Sequence, residues 1–478
     1  MVKVYPYYIA GEFRKSNEEI TKLNPANEDI FAKIFETKKE DLDFCLKRAR
    51  ESQELWKNLS FKERAKVLRE INKILLDNLR SLAELETEEI GKPLKESLFV
   101  DIPLAAECFN YYASFLESLN EDLIEDELGI SLIKYEPLGV IAVYLPYNVP
   151  LMIFGFSCAS ALAAGNSLII KPSEYGSLSL LELATCIDKL DIPKGLINIV
   201  TGKGDTLGKS LAQSDVDMIS FTGSRETLKK IFIESINKPK KIICELGGCN
   251  LCVVFSDADK RRVLENILGS SFIKSGQMCI ATSLILIEEE IYEDLVKDLL
   301  DKTKRIKIGD PFDPQTQMGP LPTGGHLENI HKQVKDLQTK GAKVLCGGEP
   351  LSKKGYFYPP TILELKEIIY EEFFGPVVLL RRFKRQDIEK IIRQNPSGLV
   401  LQVWTKDMHK AKELADISGY GTVWINTFAQ MSPEIPFGGN KLSGWGRNLG
   451  RFGFFEYAQP KHIGIGFKGS PVEGWFGF

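Results

Sequence analysis

From residue 139 onward, short uncharged runs rich in Val, Ile and Leu alternate with segments of helical length and period. Val140–Leu145, Leu168–Ile170, Leu196–Val200, Met218–Phe221 and Ile242–Cys244 read as strands buried on both faces. The stretches 151–163, 177–189, 206–213 and 225–235 between them read as helices. Continuous apolar strands separated by helices imply parallel pairing through right-handed crossovers. The result is a doubly wound α/β sheet, in which ligands bind at the carboxyl ends of the strands. A second α/β series is predicted from Leu251–Phe255, Leu284–Ile287, Lys343–Cys346, Val377–Leu380, Leu399–Trp404 and Gly421–Ile425. Residues 40–90 carry charged, amphipathic helical patterning, and Glu121–Tyr135 is acidic and strand-like at its end. In the tail, His462, Gly464 and Gly466 alternate with Ile463, Ile465 and Phe467, which predicts a short strand over 462–467.

Gly139–Ile170 holds no charged residue and is long enough to span a bilayer. Pro146, Asn148, Pro150 and Asn166 divide it, so it reads as a buried strand, a loop, a helix and a second buried strand, and no membrane span is expected. A length of 478 residues exceeds one ordinary domain, and 44% hydrophobic with 26% charged residues is a globular balance. A net charge of −4 without a basic run argues against nucleic acid as a partner. The nine scattered cysteines and the lack of a secretory leader pattern point to a reduced, cytoplasmic compartment. The four histidines show no ligand spacing, so no metal is expected.

Three motifs carry candidate chemistry. Gly276-Gln277-Met278-Cys279 places a cysteine at a loop-to-helix junction, where exposed backbone N–H groups favour a thiolate. A lone cysteine is also compatible with an inert core position. Glu245-Leu246-Gly247-Gly248 follows a predicted strand and sets Glu245 at the carboxyl edge of a sheet, as a base or as a plain surface glutamate. Leu145-Pro146-Tyr147-Asn148-Val149-Pro150 holds an asparagine between prolines, whose amide is either an oxyanion donor or a turn group.

Further motifs follow in order: Glu136-Pro-Leu-Gly-Val140, Ala163-Ala-Gly-Asn166, Lys171-Pro-Ser-Glu174, Phe221-Thr-Gly-Ser224, Met318-Gly-Pro-Leu321, Glu371-Glu-Phe-Phe-Gly-Pro376 and Pro436-Phe-Gly-Gly-Asn-Lys-Leu-Ser-Gly-Trp-Gly-Arg447. In content and order the chain resembles the NAD(P)-dependent aldehyde dehydrogenase superfamily, of the hydrolytic, non-acylating type, over essentially its whole length. The resemblance implies a dinucleotide-binding domain from residues 1–118 and 138–246, a catalytic domain over 247–448, and a small β oligomerisation extension from 119–137 and 459–478. It also implies a homodimer or homotetramer.

By the same resemblance Cys279 is the nucleophile that forms a thiohemiacetal with the aldehyde. Asn148 and the Cys279 backbone N–H hold the oxyanion, and Glu245 activates the water that hydrolyses the thioester. The cofactor is NAD, with NADP as the other dinucleotide considered. Its implied contacts are Leu145, Pro146, Tyr147, Lys171, Ser173, Glu174, Gly204, Phe221, Thr222, Gly223, Ser224, Leu246, Glu372 and Phe374. A substrate tunnel of Val149, Phe156, Met278, Ile280, Met431 and Phe437 is wholly apolar and favours an uncharged aliphatic or aromatic aldehyde. An acylating, coenzyme A-dependent enzyme and an inactive binding protein of the same fold are the alternatives. Four departures from the family pattern stand out: Leu228 in place of a second glycine, Cys249 in place of a lysine, and the neutral Ser157 and Asn448 where the family often has lysine and glutamate. Cys249 creates a Cys249-Asn-Leu-Cys252 spacing.

Overall fold

In the computed structural model of the protein, the described residues are 2–467, apart from 121, 128, 237 and 239, together with 472–477. The first sheet has eight strands in the spatial order Gly444–Trp445, Lys241–Leu246, Met218–Gly223, Val140–Leu145, Ser167–Pro172, Ile197–Ile199, Tyr7–Ile9 and Glu12–Arg14. The five central strands run parallel. Every residue of Val140–Leu145 and Ser167–Pro172 is buried, because helices cover both faces. After Val140–Leu145 the chain builds outward through Ser167–Pro172 and Ile197–Ile199, then returns to the other flank for Met218–Gly223 and Lys241–Leu246. The switch point therefore falls between Val140–Leu145 and Met218–Gly223, where a crevice forms at the carboxyl ends.

The uncharged segment is a strand, the helix Pro150–Ala163 and a second strand, in the order its punctuation predicts. Pro150 opens the helix, where its fixed φ is suited and its missing N–H costs no bond. No helix among the described residues is long and apolar enough to cross a membrane. Two strands outrun their apolar runs. Met218–Gly223 and Lys241–Leu246 continue in register to Thr222↔Glu245 and Gly223↔Leu246, so Glu245 lies within a strand and not beyond it.

The second sheet has seven strands: Lys343–Cys346, Thr361–Glu364, Val377–Phe383, Thr282–Glu288, Asn250–Val254, Val400–Trp404 and Thr422–Ile425. All pair in parallel except Lys343–Cys346 on its neighbour. Cys249 and Cys252 pack into separate cores on this sheet, as the two-residue pleat requires, so their spacing makes no dithiol pair. Gly444–Trp445, although late in the chain, completes the first sheet.

The third component is an antiparallel sheet of Asp122–Glu125, Gly129–Pro137 and Ala458–Gly466. The tail strand starts at Ala458, ahead of the predicted 462, since it pairs with Gly129–Pro137 along its whole length. Positions 121, 128, 468–471 and 478 of the proposed oligomerisation spans lie outside the described residues. The N-terminal strands Lys3–Tyr5, Tyr7–Ile9, Glu12–Arg14, Glu19–Leu23 and Ile30–Phe35 were not legible, being short and mixed in polarity.

Candidate active site

A cavity of about 820 Å³ opens at the switch point of the first sheet and is closed on its far side by the second α/β unit. That size suits a small-molecule or cofactor site, which typically measures roughly 300–1,000 Å³. Of the expected dinucleotide contacts, Leu145, Pro146, Tyr147, Lys171, Ser173, Glu174, Gly204, Phe221, Thr222, Gly223, Ser224, Glu372 and Phe374 line it. Leu246 does not: its side chain is buried in the core under the sheet, and Gly247 takes its place in the wall.

Local chemistry prepares one end for phosphate and sugar. Ser224 caps the helix Arg225–Ser235, its side chain accepting from Thr227 N–H at 3.2 Å, so the free N–H groups of the first turn open on the cavity. Leu228, standing where a glycine was expected, is buried with Phe221 and Ile231 and ties that helix to the sheet. Lys171 is buried with Nζ 4.0 Å from Glu174, and burial lowers its affinity for a proton. The Tyr144 hydroxyl donates to the Gly208 carbonyl at 2.8 Å, holding the neighbouring wall.

The other end is acidic. Glu372 packs so closely on Gly247 that a side chain there would collide with the carboxylate. Burial raises the Glu372 pKa, with the Gly248 N–H opposing. Glu245 is 8% exposed and accepts from Gly439 N–H at 3.3 Å. Burial holds its carboxyl well above the usual carboxylate range, against the pull of Arg447.

Cys279 lines the same cavity and is half-buried. Burial, then the charges of Glu245 and Glu372, push its thiol up to about 12, while the N–H groups of Ile280 and Cys279 oppose the shift. The approach to it is strained: Lys274 and Ser275 are both left-handed, at φ 55°, which costs roughly 1–2 kcal/mol per residue. Gly276 follows at φ 69°, against the Gly375 carbonyl, where only glycine fits. Asn250 then bonds the carbonyls of Cys279 and Ala281 at 2.7 and 2.8 Å.

Asn148, 6% exposed, lies on the same wall and donates one Nδ2–H to the Gln277 carbonyl at 2.7 Å. An amide nitrogen has two hydrogens, so a second donor remains. Tyr147 donates to Gln277 Oε1 at 2.9 Å and meets Phe374 edge-on at 6.1 Å. His326, which the sequence did not single out, donates from Nε2 to the Phe374 carbonyl at 2.6 Å and also lines the cavity. Gln277 was noted only as part of a motif.

Of the expected substrate residues, Val149 lines the main cavity. Phe156, Met278, Ile280 and Phe437 are buried beside it in one apolar cluster, with Cys279 and Met431 packed against them. Phe156 and Phe437 meet edge-on at 6.4 Å. Cys279 thus stands between the cavity and an apolar flank. Ser157 Oγ and Asn448 Oδ1 are both buried, and Ser157 faces the Tyr457 hydroxyl.

A sequence model of the aldehyde dehydrogenase family matches residues 13–463. A betaine aldehyde dehydrogenase of Bacillus subtilis (strain 168) is 36% identical, over 98% of this chain and 99% of its own. Retinal dehydrogenase 2 of Homo sapiens is 34% identical, over 97% and 92%. The NAD+ complex of an aldehyde dehydrogenase from Bacillus cereus superposes with a TM-score of 0.95 at 30% identity, covering 98% of this chain and 97% of that one. An NAD+ complex of betaine aldehyde dehydrogenase from Staphylococcus aureus gives 0.95 at 33% identity, covering 99% and 97%.

Proposed function

The chain belongs to the aldehyde dehydrogenase family, and we propose that it oxidises an uncharged, apolar aldehyde to its carboxylic acid through a thioester on Cys279, with NAD as the preferred cofactor. One observation carries the reading: Cys279, Glu245 and Asn148, drawn from separate elements, meet on the wall of a single cavity at the switch point of a doubly wound sheet.

The cavity suits the dinucleotide. Glu174 and the buried Lys171 would hold the adenosine ribose, the first turn of Arg225–Ser235 the pyrophosphate, and Glu372 the nicotinamide ribose. Glu245 and Glu372 line the end that would take the nicotinamide ring. When bound, the cofactor supplies the hydride acceptor.

The chain's own residues do the rest. Cys279 Sγ gives up its proton to water and bonds to the aldehyde carbon as the carbonyl π bond breaks, forming a thiohemiacetal whose oxygen is anionic. The free Asn148 N–H and the Cys279 backbone N–H stabilise its oxyanion, and the bond to Gln277 keeps the Asn148 amide from turning away. Hydride loss leaves a thioester on Cys279. Glu245 takes a proton from water, whose oxygen attacks the acyl carbon; the carbon–sulfur bond breaks, and acid and thiol are released. Retention of Glu245 favours water over coenzyme A as the acyl acceptor.

The apolar flank of Phe156, Met278, Ile280 and Phe437 supports an uncharged substrate, since an unpaired charge buried there is costly. A quaternary-ammonium aldehyde is the second reading, favoured by the aromatic rings of Phe156, Phe437, Trp424 and Phe428 in the same cluster. The test is NADH formation with apolar, anionic and trimethylammonium aldehydes, with and without coenzyme A. The highest kcat/KM for an apolar aldehyde, independent of coenzyme A, is expected. A dominant charged substrate or an absolute need for coenzyme A overturns the corresponding part.

A further inference from the structure

The loop that carries Cys279 and the loop that carries Asn148 are joined underneath by polar side chains that lie behind the cavity wall. Lys92 and Asp101 lie in the chain around the π-helical turn Ser97–Asp101, and a π-turn inside a helix often marks a functional site. Lys92 Nζ is buried between Glu86 and Asp101, at 2.8 Å from Asp101, and is 3.5 Å from the Asn148 carbonyl. Asp101 is also 2.9 Å from Lys274 Nζ, and the Lys274 N–H donates to Glu96 at 3.1 Å. Lys274 is the first of the left-handed residues that lead to Cys279. Its carbonyl accepts from both the backbone N–H and the Nε2 of Gln277, each at 3.1 Å. Gln277 returns to the other loop, with Oε1 receiving the Tyr147 hydroxyl and its carbonyl receiving the Asn148 amide. The second end of that loop is fixed as well, because Leu151 N–H donates to Glu86 at 3.2 Å. Hydrogen bonds and the Asp101–Lys274 ion pair close a ring through Lys92, Asp101, Lys274, Gln277 and Asn148, with Glu86 braced between Lys92 and Leu151.

We propose that Asp101, Lys274 and Gln277 are positioning residues, a strut that sets the Asn148 amide against Cys279 and keeps the left-handed approach to the nucleophile in place. The ring explains why two non-glycine residues remain left-handed. Lys274 is anchored at its ammonium, its N–H and its carbonyl, and Ser275 donates to the Gly319 carbonyl at 2.8 Å. It also explains a pair of lysines and three carboxyl groups buried away from the cavity wall, which would otherwise be an expensive way to join helices. The proposal rests on the roles given to Cys279 and Asn148.

The test is steady-state aldehyde oxidation by Gln277→Met and Lys274→Met, each alone and combined with Asn148→Ala. Gln277→Met removes no charge and decides the matter if Lys274→Met fails to fold. Small displacements of reacting groups are expensive, so kcat should fall by about 10-fold or more. KM for NAD should rise by a smaller factor than kcat falls, because the strut meets the dinucleotide wall only through the Tyr147 hydroxyl. On the Asn148→Ala background the same substitutions should cost less than about two-fold, as for groups that act through one another. Wild-type kcat in Gln277→Met, or an equal loss on both backgrounds, overturns the strut. Cys279→Ala, measured alongside, separates the two ideas: if it is inactive while Gln277→Met is normal, the strut alone fails, and if it turns over, the nucleophile assignment fails.

Discussion

At the residue scale the site is set by burial and like charge. Burial disfavours the ionised forms of Cys279, Glu245 and Glu372, and the charges of Glu245 and Glu372 add to it at Cys279. Glu245 must ionise to act as a base, so steady-state kcat should rise with pH through its ionisation, and Glu245→Gln should show a flat, low profile. The same shift has a stability consequence of fixed sign. A carboxyl whose folded pKa is raised costs nothing below its unfolded pKa and destabilises progressively as pH rises towards the folded one. Melting temperatures of Glu245→Gln should therefore gain on wild type from acidic to alkaline pH; a constant or shrinking difference contradicts the shift. Ser157 and Asn448 give a further prediction. A lone carboxylate at Asn448 would be buried and unpaired, costing about 3–5 kcal/mol. Asn448→Glu should lower the melting temperature, and Ser157→Lys added to it should restore much of the loss; strictly additive effects would show that the two positions are uncoupled.

At the element scale, sequence patterning was most legible where burial is two-sided. Val140–Leu145 and the helix over 225–235 appeared from their apolar runs and period, because nothing but a covered strand or an amphipathic helix tolerates those patterns. The extra length of Met218–Gly223 and Lys241–Leu246 was hidden, since Thr222, Gly223 and Glu245 are polar or small and are drawn into the strand by their neighbours' register. Motif residues were likewise readable one loop at a time. Their closure into a ring through Lys92, Asp101 and Lys274 was not, for contacts distant in sequence leave no periodicity. His326 was missed for the same reason. The loop after Ser167–Pro172 carries the cofactor prediction. Glu174 would accept from a ribose hydroxyl and repel a phosphate there, so kcat/KM should favour NAD over NADP, and Glu174→Gln should narrow the ratio. An equal or better value with NADP in the unchanged protein would refute it.

At the scale of the whole molecule, two α/β units close on one cavity while a separate antiparallel sheet stands away from it. Leu123, Ile463, Ile465 and Phe467 on and beside that sheet are exposed on one face by their register, and such a row of apolar side chains suits association. Light scattering should give a homodimer or homotetramer, and Leu123→Lys with Ile465→Lys should shift it towards monomer; unchanged mass would leave the sheet without that role. The central claim concerns the cavity and not the assembly. If Cys279 carries the acyl group and Glu245 acts afterwards, Glu245→Gln mixed with aldehyde and NAD should release about one NADH per site in a burst and then slow by roughly 10²-fold or more. The intact protein mass should rise by one acyl group, located on the Cys279 peptide. Unmodified Cys279 with undiminished turnover would contradict the account.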